Sequence, residues 1–153
     1  MPPEISDKFS EADVKKMLSD NPRVKEAMSH MEDAYTDHRI RSAFVLAPVF
    51  GQVMTSSSLA AITVPVELVV GSADIQAIPS ASVAPIAAAI PTVSLEVLPS
   101  VGHYTFMPVC NSRGKTYVKD LCGDADGVDR DAIHRRVGAW AVDFFGRTLE
   151  KIR

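Results

Sequence analysis

Three short, largely apolar runs, separated by segments of helical pattern, constrain this chain more than any other feature. They are Ser42-Ala43-Phe44-Val45-Leu46-Ala47-Pro48, Pro65-Val66-Glu67-Leu68-Val69-Val70-Gly71 and Val93-Ser94-Leu95-Glu96-Val97-Leu98. Runs of this length, rich in β-branched and aliphatic residues, predict strands. The unbroken apolar character of the first is that of a strand buried on both faces of a parallel sheet. Between them, Ser56–Ile62 reads as a short capped helix, and a second helix runs from Ser80 or Ser82 to Ile90, stopped by Pro91. Strands alternating with helices predict parallel βαβ units with right-handed crossovers. The expected fold class is therefore α/β, a partial sheet of about three parallel strands with flanking helices. The second and third strands can pair with each other, but Phe44–Ala47 expects a neighbour on its other side as well. A bare, apolar, parallel edge invites strand addition. It predicts that a further strand is supplied, by an N-terminal half-chain or by a second copy in a homodimer.

The flanks are helical. Ser10 caps a first helix with an acid, Asp13, three residues on, and Phe9 and Val14 are placed to staple across the cap. Asn21 caps a second helix with Pro22 at its first position, and Val24, Ala27, Met28, Met31 and Tyr35 recur at helical spacing. Packing explains that stripe better than a partner-binding face. A last helix runs from Asp129 to Leu149, with Ile133, Val137, Trp140, Ala141, Phe144 and Phe145 on one side. Residues 1–36 thus form a helical, cap-like segment and residues 37–153 the α/β portion.

Length and composition narrow the remaining classes. At 153 residues the chain suffices for one domain with a real core. A net charge of -3 with no basic stripe argues against nucleic acid. No apolar segment approaches the roughly 18 residues of a membrane span. Met1–Lys8 lacks the apolar stretch of a signal peptide, so the chain as written is expected in the cytoplasm, with an exported, longer parent as the alternative.

The chemistry sits where two strands end. The second strand leaves through Gly71-Ser72-Ala73-Asp74 and the third through Gly102-His103. An acid and then a histidine, each just past the end of a parallel strand, follow the chain order of the last two members of a Ser…Asp…His triad. Ligands of open α/β sheets collect at that end. Asp74 would orient the imidazole and His103 would act as general base. Gly71 and Gly102 suit tight exits. The nucleophile should lie upstream on a Gly-x-Ser-x-Gly turn, and the sequence contains none. Ser56, Ser57 and Ser58, with Thr55, read as a helix cap, and His30, His38 and His134 as surface or capping residues. Tyr104–Val128 reads as a long loop holding both cysteines, Cys110 and Cys122, whose spacing permits a disulfide that a reducing cytosol would oppose. Its Asp124-Ala125-Asp126-Gly127 piece fails as a calcium loop, because Ile133 stands where a glutamate is needed. Tyr104, Phe106 and Met107 fit either an acyl pocket or the core.

From Asp37 onward the chain resembles the C-terminal half of predicted dienelactone hydrolases of the α/β-hydrolase superfamily. Arg39-Ile40-Arg41-Ser42-Ala43-Phe44 with Ala47-Pro48, Ser58–Val66, Gly71-Ser72-Ala73-Asp74 and Gly102-His103-Tyr104-Thr105-Phe106 carry the resemblance. Leu121-Cys122-Gly123-Asp124, Gly127-Val128-Asp129-Arg130 and His134 complete it. It implies ester or lactone substrates, no metal or organic cofactor, and Asp74 and His103 as acid and base. It also implies that residues 1–36 are cap helices. The nucleophile elbow and oxyanion donors belong to a first half that this sequence does not contain, so the chain alone is expected to be inactive. A pseudo-hydrolase that binds or dimerises without catalysis is the alternative.

Overall fold

A computed structural model describes residues 10–30, 33 and 35–149, and the chain divides into two compact units, residues 1–37 and 38–153. The first unit is a pair of helices, α1 (Glu11–Asp20) and α2 (Pro22–Ser29). Ser10 Oγ accepts the Asp13 N–H at 3.1 Å while Asp13 Oδ2 accepts the Ser10 N–H at 2.9 Å, the reciprocal capping pair expected of this spacing. The Ser10 hydroxyl, donating to Asp13 Oδ2 at 2.6 Å, and then the Ser10 N–H hold the Asp13 carboxyl below its ordinary value. Asn21 Oδ1 accepts from the backbone of Arg23 and Val24, and Pro22 occupies the first turn. The staple of Phe9 on Val14 lies outside the described residues. The helix is shorter than the apolar spacing predicts. It ends at Ser29 with no buried residue, and Tyr35, 77% exposed, lies beyond it with its hydroxyl donating to the His30 carbonyl. Met31 also falls outside the described residues.

The second unit holds the sheet. Its strands are β1 (Ala43–Leu46), β2 (Val66–Gly71) and β3 (Val93–Leu98), all parallel, in the order β1-β2-β3. The register pairs Val45 with Leu68 and Leu68 with Leu95. Between them lie α3 (Ser56–Ala60) and a π-turn, Pro79–Val83, that runs into α4 (Ala84–Ala89). After β3 come a 3-10 turn, His103–Phe106, and three helices: α5 (Ser112–Tyr117), α6 (Lys119–Cys122) and α7 (Arg130–Leu149). Thr55 caps α3 by accepting the Ser58 N–H, and Asp129 caps α7 by accepting the Ala132 N–H.

The sheet alternates its side chains between two cores. Val66, Leu68 and Val70 face one, with Leu59 of α3 and Ile86 of α4. Val69 faces the other, with Leu98, Val101 and Val137 of α7. Neighbouring Val69 and Val70 are both 0% exposed, so β2 is the strand covered on both faces. That corrects the expectation for the first run: β1 is only half-buried, because α7 covers it through Phe44 and Phe144 (ring centroids 5.8 Å) while its outer edge pairs with no described strand. The segment read as one long loop instead contains α5 and α6, tied by the Cys110–Cys122 disulfide. Closing those 12 residues stabilises by on the order of 3 kcal/mol in the chain-entropy account.

The two outer strands differ in kind. β3 exposes Ser94, Leu95, Glu96 and Val97, and its Ser94 and Glu96 are the polar residues with which natural edges discourage further pairing. β1, Ala-Phe-Val-Leu, has none. Leu68→Ala should cost about 2–5 kcal/mol in urea unfolding. Leu95→Ala, beside it in register but 37% exposed, should cost less than half as much. Equal losses would show that the centre of stability does not lie on β2.

Candidate active site

The site begins with a close approach of backbones. A Cβ placed on Gly71 would lie 1.9 Å from the Val101 carbonyl oxygen, so no residue but glycine lets the exits of β2 and β3 meet. Beyond it the two exits are laced together. Ser72 N–H donates to the Leu98 carbonyl (2.8 Å) and Ala73 N–H to the Val101 carbonyl (3.0 Å). The Ser72 hydroxyl accepts the Ser100 N–H at 2.9 Å, with Ser100 in the left-handed region at φ 60°. Gly102 is different. Its Cβ would touch only Thr105 Oγ1, at 3.9 Å, so it is not sterically required, contrary to the sequence expectation.

These exits bring Asp74 and His103 together. The Asp74 side chain is fully buried, and a buried carboxylate demands partners. Its Oδ1 accepts the backbone N–H groups of Gln76 (2.8 Å) and Ala77 (2.7 Å). Its Oδ2 lies 2.8 Å from His103 Nδ1. A carboxylate oxygen can only accept, so the Nδ1 proton donates and Nε2 is left as the basic nitrogen. The imidazole side chain keeps 22% exposure and meets the Tyr104 ring edge-on at 5.3 Å. Gln76 Nε2 in turn donates to the Tyr104 hydroxyl. A cavity of about 380 Å³ opens beside the pair, lined by Ala73, Ile75, Ser100, His103, Tyr104 and Asp120. Tyr104 therefore belongs to the site, whereas Phe106 packs against both cores and Met107 is exposed.

A second layer follows the histidine. Thr105, 2% exposed, accepts the Gly102 N–H at its hydroxyl (3.3 Å) and donates that hydroxyl to Asp124 Oδ1 (2.7 Å). Arg130, 7% exposed, grips the same carboxylate twice, Nε to Oδ2 at 2.9 Å and Nη2 to Oδ1 at 3.1 Å. Its remaining donors reach the carbonyls of Leu121 (3.1 Å) and Pro108 (3.5 Å). His134 Nε2 donates to the Thr105 carbonyl at 2.7 Å. His134 is thus a half-buried structural donor, not the surface or capping residue expected from sequence. Burial pushes the Asp124 carboxyl up, but hydrogen bonds from Arg130 and Thr105 and the charges of Arg130 and His134 outweigh it and hold the carboxyl below its ordinary value. Asp124 of the Asp-rich piece is committed to this clamp, which the arginine spacing (Asp124 to Arg130) could have flagged.

Among the other expected residues, His30 pairs at the surface with Asp33 (2.7 Å), and Ser57 and Ser58 bond with Thr55 around the α3 cap. The exit of β1 carries a feature that sequence reasoning missed. Ala47 (φ 47°) and Phe50 (φ 64°) both adopt left-handed backbone, which a bulky residue rarely does. The buried Ser82 hydroxyl locks that loop by accepting the Gly51 N–H and donating to the Pro48 carbonyl, each at 3.1 Å. Phe50 is left 65% exposed at the same end of the sheet.

The sequence matches no protein-family model and no curated protein.

The geometry of the exits and of the clamp sets two outcomes. Gly71→Ala should destabilise by about 3 kcal/mol or more, because a backbone carbonyl cannot step aside. Gly102→Ala should cost under about 1 kcal/mol in the same thermal melts, and the reverse ranking would contradict the described exits. The Asp124 clamp contributes stability that is complete above the ordinary carboxylate pKa of about 4 and is lost as pH falls through the depressed value. Asp124→Asn should therefore flatten the acid limb of the stability–pH curve below about pH 4, whereas an unchanged limb would show that the carboxyl titrates normally.

Proposed function

We propose that this chain carries the acid and the histidine of a Ser-Asp-His site for hydrolysis of carboxylic esters or lactones, of the dienelactone hydrolase-like kind, and that the nucleophile arrives on a strand added at the Phe44–Ala47 edge. The observation that carries this reading is the 2.8 Å bond between His103 Nδ1 and a fully buried Asp74 carboxylate. In the completed site His103 Nε2 takes the serine proton as Oγ attacks the ester carbonyl, and Asp74 stabilises the imidazolium that forms. The imidazolium gives that proton to the departing alkoxide, and water then cleaves the acyl-enzyme through the same base. This chemistry needs no metal or organic cofactor. The incoming strand supplies both serine and oxyanion donors, whose loss costs orders of magnitude in rate.

The edge supports the second half of the proposal. β1 is apolar and pairs on its outer side with no described strand, while β3 carries Ser94 and Glu96. A strand beside β1 would also end next to the strained Ala47–Phe50 exit, at the sheet end that holds Asp74 and His103. The Cys110–Cys122 bridge fits an oxidising compartment, favouring an exported parent over a cytoplasmic protein. A second reading, a non-catalytic module that forms a homodimer through the same edge, draws on the exposure of Leu46, Val142 and Phe145. Among the described residues no helix is long and apolar enough to cross a membrane.

Intact-mass analysis after exposure to a fluorophosphonate, beside a His103→Ala control, tests the half-site. The chain alone should gain no adduct and show no turnover of p-nitrophenyl acetate. An adduct that the control abolishes would mean that a serine of this chain is activated, overturning the reading. Light scattering separates the alternative: a monomer is expected, and a dimer broken by Leu46→Lys would favour the homodimer.

A further inference from the structure

We infer that Asp124 and Arg130, neither of which hydrogen-bonds to Asp74 or His103, are positioning residues that set the His103 imidazole against Asp74 through the Thr105 hydroxyl. The inference deepens the half-site reading and rests on it for its functional meaning, although the linkage itself is a matter of hydrogen bonds.

His103 is not part of the sheet. It opens a four-residue 3-10 turn after β3, and no strand ladder orients it. Three things can fix the ring: its bond to Asp74, its edge-on contact with Tyr104, and the conformation of the turn that carries it. Gln76 and His134 reach the turn from outside, but its entry is tied by one side chain of its own. The Thr105 hydroxyl takes the N–H of Gly102, directly before His103, and so ties the turn's entry to its third residue. A hydroxyl has one proton to give, and here Asp124 Oδ1 receives it at 2.7 Å. Asp124 is in turn aimed by two parallel bonds from Arg130, the fork geometry that orients a carboxylate in its plane. The Thr105 carbonyl is held separately by His134.

Arg130 is fixed from the other side. Its donors to the Leu121 and Pro108 carbonyls meet the chain just ahead of Cys122 and Cys110, where the disulfide closes the loop. A rigid frame therefore runs from the disulfide through Arg130, Asp124 and Thr105 to the backbone on either side of His103. Simple loop-anchoring would also explain the Arg130–Asp124 pair, since breaking a buried pair is costly wherever it sits. The two accounts differ at Thr105. Anchoring needs Asp124 and Arg130 only, whereas positioning needs the hydroxyl.

The test is NMR of the full chain, labelled with 15N at histidine, following exchange with water of the His103 Nδ1 proton that bonds to Asp74. Thr105→Val removes the hydroxyl and keeps the shape, Thr105→Ser restores it, and Asp124→Asn removes the charge. Thr105→Val and Asp124→Asn should each speed that exchange by a factor of about five, the weight of one hydrogen bond lost from the turn. Thr105→Ser should leave it as in the unaltered chain. Exchange that stays unchanged in Thr105→Val, while its melting temperature falls, would reduce the cluster to loop-anchoring and overturn the inference. Should Asp124→Asn fail to fold, the Thr105 pair decides alone. A fluorophosphonate adduct would defeat the half-site reading without touching this result, and unchanged exchange would do the converse.

Discussion

Between Gly71 and the Val101 carbonyl the two strand exits come closer than any side chain would permit, 1.9 Å from where a Cβ would sit. The geometry of the site depends on that contact. It allows Ser72 and Ala73 to bond across to Leu98 and Val101, which in turn delivers Asp74 and His103 to one point above the sheet. The sheet itself makes the contact possible: β2 is buried on both faces, so its C-terminal end is held by both cores at once. The strand buried in both cores thus also leads directly to Asp74. The covered, rigid element in the middle carries the acid, and the more exposed β3 beside it leads to the histidine.

Polar groups near the pair show how such a site is kept ordered without a large core. Asp74 is satisfied by two backbone N–H groups and an imidazole, and Asp124 by a fork of arginine donors and a hydroxyl. Neither carboxylate is left unpaired, which is what makes their burial tolerable. The disulfide, Arg130 and His134 do for the loop after β3 what helices do for the sheet. The contrast with the exit of β1 is physical. There the loop is locked by Ser82 but holds two left-handed non-glycine residues and an exposed phenylalanine.

The parts of this arrangement legible in the sequence were those that depend on local pattern. β2 and β3, the caps at Ser10, Asn21, Thr55 and Asp129, and the pairing of Asp74 with His103 all stem from short-range signals: apolar runs, capping residues, and glycine before a polar residue at a strand end. What depended on distant contact was not legible. β1 reads as doubly buried because its four residues are apolar, yet burial is decided by which neighbours arrive, and among the described residues only one strand does. Gly102 reads like Gly71, and only the position of Val101 separates them. His134 looks like a solvent-facing helix residue until the turn at Thr105 is folded against it. Likewise α5 and α6 are too short for periodicity to announce, being stabilised by the Cys110–Cys122 bridge and the Asn111 cap.

The Asp74 carboxylate and His103 Nδ1, 2.8 Å apart, are bonded within this chain alone. The tautomer of His103 at neutral pH, read from long-range 1H–15N couplings, tests that bond most directly. Of the two neutral tautomers, the one with its proton on Nδ1 is expected, with that preference lost in Asp74→Asn. A proton on Nε2, or a mixture of tautomers unaffected by Asp74→Asn, would contradict it.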